Sequence, residues 1–74
     1  MSKNPLYANE IATAHQFILK HNTDAKLQSF LHDIRFRKDL MHSDRWSLCY
    51  DFLKENYPEA SDALVTGFAY WLED

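Results

Sequence analysis

The chain has 74 residues, 46% hydrophobic and 15% aromatic, with a formal net charge of −3, one Gly, two Pro and one Cys. That length bounds it to a single domain, 1–74, near the lower size at which one core holds a fold unaided. The composition excludes a disordered tail, no apolar run approaches the roughly 18 residues of a membrane helix, and the lone Cys49 excludes an intrachain disulfide.

The opening "MSKNPLYANE" lacks the apolar stretch of a secretory signal. The expectation is a soluble, cytoplasmic protein in a reducing compartment, with no membrane partner. Charge is spread unevenly. Residues 1–31 and 32–46 are each slightly basic, whereas residues 47–74 set Lys54 against Asp51, Glu55, Glu59, Asp62, Glu73 and Asp74. An acidic carboxyl-terminal part repels phosphate and suits a basic protein partner.

Asn4 before Pro5 reads as an N-cap followed by proline at the first helical position. Tyr7, Ile11, Ala14 and Ile18 then recur at helical spacing, predicting a first helix over about 5–21. His15 falls within this stripe and is expected to be a core histidine bonded to a neighbour. In "HNTD", Asn22 suits a left-handed stop and Thr23 or Asp24 a new cap.

A second helix over about 24–41 carries Leu27, Phe30, Leu31 and Ile34 on one face. After Ile34 the register changes. Phe36 and Leu40 fall opposite Leu27, and Lys38 falls where the apolar stripe should continue. A lysine in the core is costly, so this helix is expected to bend or break near Arg35–Lys38.

Ser43 is expected to cap a third helix, about 44–57, in which Trp46, Cys49, Tyr50, Leu53 and Tyr57 share a face. Pro58 is expected to open a fourth, about 58–73, with Leu64, Gly67, Phe68 and Trp71 as its stripe. Gly67 in mid-helix implies close approach of a neighbouring helix. The fold class is all-α, a compact bundle of four short helices, with Leu31, Ile34, Leu53, Leu64 and Trp71 in the core. Helices 3 and 4 have little polar face. Either one of them is the central helix, or an aromatic patch stays exposed for a partner.

All three arginines lie between Arg35 and Arg45, interleaved with acids. At helical spacing Asp33 would pair with Arg37 and Arg35 with Asp39. Residues 32–46 net only one positive charge and form no continuous basic stripe, which disfavours direct nucleic-acid binding. The spacing of the histidines and of Cys49 sets no metal site, a single glycine allows no phosphate loop, and no cofactor is implied.

Arg37 followed after four residues by His42, "RKDLMH", resembles the R-x4–6-H motif of HEPN-type ribonucleases over six residues. Those are all-α proteins in which that pair cleaves RNA, usually across a dimer. The resemblance implies an enzyme alternative, with His42 near an attacking hydroxyl and Arg37 on developing phosphate charge.

The leading expectation is a small non-enzymatic protein-binding module, an inhibitor or regulator that occludes a partner's surface. Its contacts would be Arg35, Arg37 and Lys38 as directional charges, with Trp46, Tyr50 and Tyr57 as apolar anchors. A secondary acidic face comprises Asp51, Glu55, Glu59 and Asp62. In composition the chain is similar to phage- or plasmid-borne antagonists of nucleic-acid enzymes and defence systems, which would make its partner part of a nucleic-acid-handling complex. A homodimeric helical domain associated with nucleic acid is the alternative.

Overall fold

Pro5 opens a single 3-10 turn, Pro5–Tyr7, whose fixed φ leads the chain directly into helix α1, Ala8–Lys20. Helices α2 (Ala25–Arg35), α3 (His42–Asn56) and α4 (Asp62–Glu73) follow. The computed structural model describes residues 5–73, so the Asn4 cap lies outside the described residues. Among the described residues the fold is all-α, a bundle of four helices without strands.

Asp24 is the cap of α2. Its carboxylate accepts from the backbone N–H groups of Lys26 at 3.0 Å and Leu27 at 3.2 Å, two donors that a helix start otherwise leaves unpaired. Asn22 is not left-handed, contrary to expectation, because no described non-glycine residue has positive φ. The α1–α2 turn closes instead through the His21 carbonyl, which accepts from Asp24 N–H at 3.1 Å and Gln28 Nε2 at 3.3 Å.

The break after Ile34 is as the register shift implied. Helix α2 ends at Arg35, six residues short of the expected boundary, and residues 36–41 form a loop. Leu27, Leu31 and Ile34 keep their places in the core, and Lys38 is spared burial. Ending the helix also removes the spacing on which the Asp33–Arg37 and Arg35–Asp39 pairs depended. Arg37 turns to Asp39, with Nε 3.3 Å from Oδ1, and the Arg35 guanidinium lies 4.8 Å from the Trp71 ring centroid.

Two helix starts differ from expectation. Helix α3 begins at His42 with Met41 in the capping position and no side-chain cap bond, so Ser43 lies inside the first turn. Pro58 does not open α4; it sits in the turn before it. Ser61 is the cap, its Oγ accepting from Leu64 N–H at 3.1 Å, and Asp62 places negative charge on the first turn. Lys54 holds this turn from α3 by donating to the Ala60 carbonyl and standing 3.6 Å from Asp62 Oδ1.

Helix α4 is the central helix, lying against α1 and α3 and touching α2. Val65, Phe68 and Ala69 are fully buried, as are Leu27, Leu53 and Cys49 opposite them. Leu31, Ile34, Leu53 and Leu64 are core, as their spacing implied. Trp71 is not: it is half-buried at the margin, under Arg35. His15 is exposed rather than core, and its Nδ1 accepts from Trp71 Nε1 at 3.2 Å. Gly67 does mark a close helix approach, to the backbone of Glu10 on α1.

Candidate functional site

The six residues of the α2–α3 loop carry an apolar surface at odds with a solvated connection. Phe36 is 69% exposed and Met41 70%, and Arg37, Lys38 and Asp39 between them are exposed as well. Phe36 stands in the first position beyond α2, where the helical register had already put it opposite the core. Its ring meets His32 edge-on, with centroids 4.9 Å apart. The loop is tied to α2 by the Arg37 N–H, which donates to the Ile34 carbonyl at 3.0 Å, and by side-chain bonds as well. The Arg37–Asp39 bond raises the guanidinium's pKa and lowers the carboxyl's, and Arg45 Nη2 on α3 donates to the Leu40 carbonyl at 3.4 Å. These ties constrain the loop while leaving most of the Phe36 and Met41 side chains in contact with solvent.

The residues expected to act with the arginines do not all share this surface. Arg35 borders an open groove of about 510 Å³ with Gln28, His32 and Trp71. Trp46 stacks with Tyr50 at 5.3 Å between ring centroids, but its Nε1 donates to Thr66 Oγ1 on α4 at 3.1 Å, and its ring lies against the core. Tyr50 is 37% exposed, with Lys54 Nζ 5.4 Å from its ring centroid.

Tyr57 lies at the far end of α3, roughly 20 Å along the helix axis from the loop. It binds inward. Its hydroxyl donates to Asp24, and its ring meets Phe17 and His21 edge-on at 5.0 Å each. The bond to Asp24 pushes the Tyr57 phenol up to about 12 and, with the two capping N–H groups, holds the Asp24 carboxyl below its ordinary value.

The acidic residues gather around that same far end. Asp51 and Glu55 are exposed one turn apart on α3, Glu59 lies on the turn, and Asp62 opens α4. Beside them, Thr13, Phe17, His21, Tyr57, Pro58 and Leu64 line a second groove of about 660 Å³, with Glu59 on its rim.

Arg37 and His42 are engaged separately. His42 Nδ1 donates to Glu73 Oε2 at 2.8 Å, and Arg45, rather than Arg37, shares that carboxylate at 3.6 Å. The Tyr70 ring lies between Tyr7 and His42, with both centroid distances 4.3 Å. Desolvation, then Tyr7 and Glu73, raise the pKa of the Tyr70 phenol. Among the described residues no three His, Cys, Asp or Glu side chains converge as a metal site, and no helix is long and apolar enough to cross a membrane. Cys49 is fully buried, and that burial pushes its thiol up to about 12.

Phe36 and Met41 are the candidate-site residues that sequence reasoning missed. The signal for Phe36 was the register that put it opposite Leu27. Met41 carried no signal beyond its place next to the break. No protein-family model, curated protein or solved structure matches this chain, so the functional reading rests on its geometry.

Proposed function

We propose that the chain is a non-enzymatic protein-binding module, an inhibitor or regulator that docks by its α2–α3 loop and occludes the surface it covers. The observation that carries this reading is the pair of exposed apolar side chains, Phe36 and Met41, bracketing Arg37 and Lys38 on a tied loop. Scattered single apolar residues on a surface need no explanation. Two on one six-residue loop, with cations between them, match residue types enriched at protein interfaces: an aromatic, a Met and an Arg. The partner they fit presents an apolar pocket with carboxylates around it, since those would meet Arg37 and Lys38 as Phe36 enters.

The test places a photo-crosslinking side chain at Phe36 or Met41, with Gln16 on the outer face of α1 as control, in the native host. The expected result is one defined protein captured from both loop positions and not from Gln16. Its capture should disappear when Arg37→Glu and Lys38→Glu are added, with helicity unchanged. Equal capture from Gln16, or capture indifferent to the charge reversals, would remove the loop as the working surface.

A further inference from the structure

We infer that the groove at the far end of α3 receives the α2–α3 loop of a second copy of this chain, so that copies associate head to tail. This rests on the docking role given to the loop, and it names a partner surface with the chemistry that role requires.

The loop needs an apolar recess edged by carboxylates, and the same chain carries one. The groove's walls are the rings of Phe17, His21 and Tyr57 with Leu64 beside them, and its volume of about 660 Å³ is sufficient for an inserted aromatic side chain. Enclosing sites for small ligands span about 300–1,000 Å³. Its rings are already fixed. Phe17 stands 4.3 Å from His21 and 5.0 Å from Tyr57 between centroids, and Tyr57 is held by Asp24, so insertion requires little reordering.

The charges match as well. Glu59 is on the groove's rim, with Asp62 and Glu55 following on either side of the turn. Lys54 pairs with Asp62 and the Ala60 carbonyl, so Glu59 and Glu55 supply the acidic charge at the rim. On the loop, Arg37 and Lys38 outnumber Asp39. The two surfaces stand at opposite ends of α3, a helix of 15 residues and so about 22 Å long. They cannot meet within one molecule. An interface made of two different patches is heterologous and adds copies in one direction.

Sedimentation across a concentration series tests this. The wild type should gain mass with concentration and lose it on adding salt, which screens rim charges. A loop-blocked variant, Phe36→Asp with Arg37→Glu, and a groove-blocked variant, Thr13→Arg with Glu59→Arg, should each remain monomeric. Mixed in equal amounts they should recover a dimer that grows no further, because one intact loop then meets one intact groove. A wild type that is monomeric up to about 1 mM overturns the inference. So does association of either variant alone, or a mixture of the two folded variants that stays monomeric.

Should a variant lose its melting transition, the amide shifts of the wild type over the same series decide. Movement confined to residues 36–41 and to Thr13, Phe17, Tyr57 and Glu59 supports the interface, and movement elsewhere overturns it. A monomeric wild type whose Phe36 still crosslinks one foreign protein would remove the self-association and leave the docking role standing. Equal foreign capture from Gln16 beside intact head-to-tail association would remove the foreign partner and leave the self-association standing.

Discussion

Gly67 on α4 faces the backbone of Glu10 on α1 with no room for a side chain between them. A Cβ at Gly67 would stand 2.7 Å from the Glu10 carbonyl carbon and 3.1 Å from Ala14 Cβ, and it would overlap the Glu10 carbonyl oxygen. The obstacle is backbone, which cannot rotate aside as a side chain can. The helix pair at the centre of the fold therefore depends on this glycine.

Gly67→Ala is accordingly expected to destabilise, against the roughly 1 kcal/mol that alanine gains over glycine in a helix interior. Forcing extra volume into a packed contact costs about 1–3 kcal/mol, and more where the backbone must shift. For a domain of this size a net loss of about 1 kcal/mol lowers Tm by about 4–8 °C. Thermal unfolding followed by circular dichroism checks it. A higher Tm in the variant would show that α1 and α4 lie farther apart.

The Asp24–Tyr57 bond predicts a pH dependence with a definite sign. Tyr57's pKa is raised from the usual 10.0 to about 12, so the bond's contribution is fully present below pH 10 and is lost as pH rises from 10 to 12. Asp24's pKa is lowered from 3.8, so its contribution is present above that value and is lost as pH falls below it. Tyr57→Phe should be less stable than wild type at neutral pH and should approach it between pH 10 and 12. Urea midpoints across that range, with the phenolate absorbance of Tyr57, measure both. Unchanged relative stability across the alkaline window would mean the bond does not persist in solution.

How far the sequence showed this arrangement depends on whether a feature is local. A cap at Thr23 or Asp24 and a bend or break of α2 near Arg35–Lys38 were legible, because side chain to N–H distances and helical register are set within a few residues. Pro58 was misleading for a related reason: proline suits both a first helical turn and a tight turn. Here the Tyr57 inward anchor and the Lys54–Ala60 bond choose the second. The positions of Trp71 and His15 were not legible, since both depend on how α4 lies across α1. The six residues expected to form one binding surface were adjacent in sequence or shared a helical face, but α3 is long enough to carry Tyr57 away from the arginines.

Cys49 provides an internal reporter of core opening. With no exposed surface and a thiol pushed up to about 12, it should resist alkylation in the native state and react at the rate of an open thiol only after unfolding. Leu53, one turn further along α3 and fully buried, should control that opening. Leu53→Ala is expected to cost about 2–5 kcal/mol. Each ~1.4 kcal/mol of lost stability corresponds to a tenfold faster reaction where opening is global. Fast labelling of the wild type would place Cys49 at the surface, and a rate unaffected by Leu53→Ala would place Leu53 outside the core.

The exposed pair on the loop and the half-buried aromatics of α3 should separate cleanly by mutation. Phe36 and Met41 keep about 70% of their surface in water, so replacing both with serine removes little packing. Surface changes of this kind usually stay within about 0.5 kcal/mol, and Tm should move by no more than a few degrees. Trp46→Ala is different. It removes the bond to Thr66 Oγ1 and a large ring lying against the core, and such truncations cost about 3–5 kcal/mol when the ring is fully buried. Trp46 being only half-buried, a smaller but still plain fall in Tm is expected. If crosslinking and association then fail in Phe36→Ser/Met41→Ser while its melting curve stays near wild type, the loop is a surface kept for contact. If instead the double serine variant melts like Trp46→Ala, Phe36 and Met41 are part of what holds the bundle together, and their exposure has no bearing on binding.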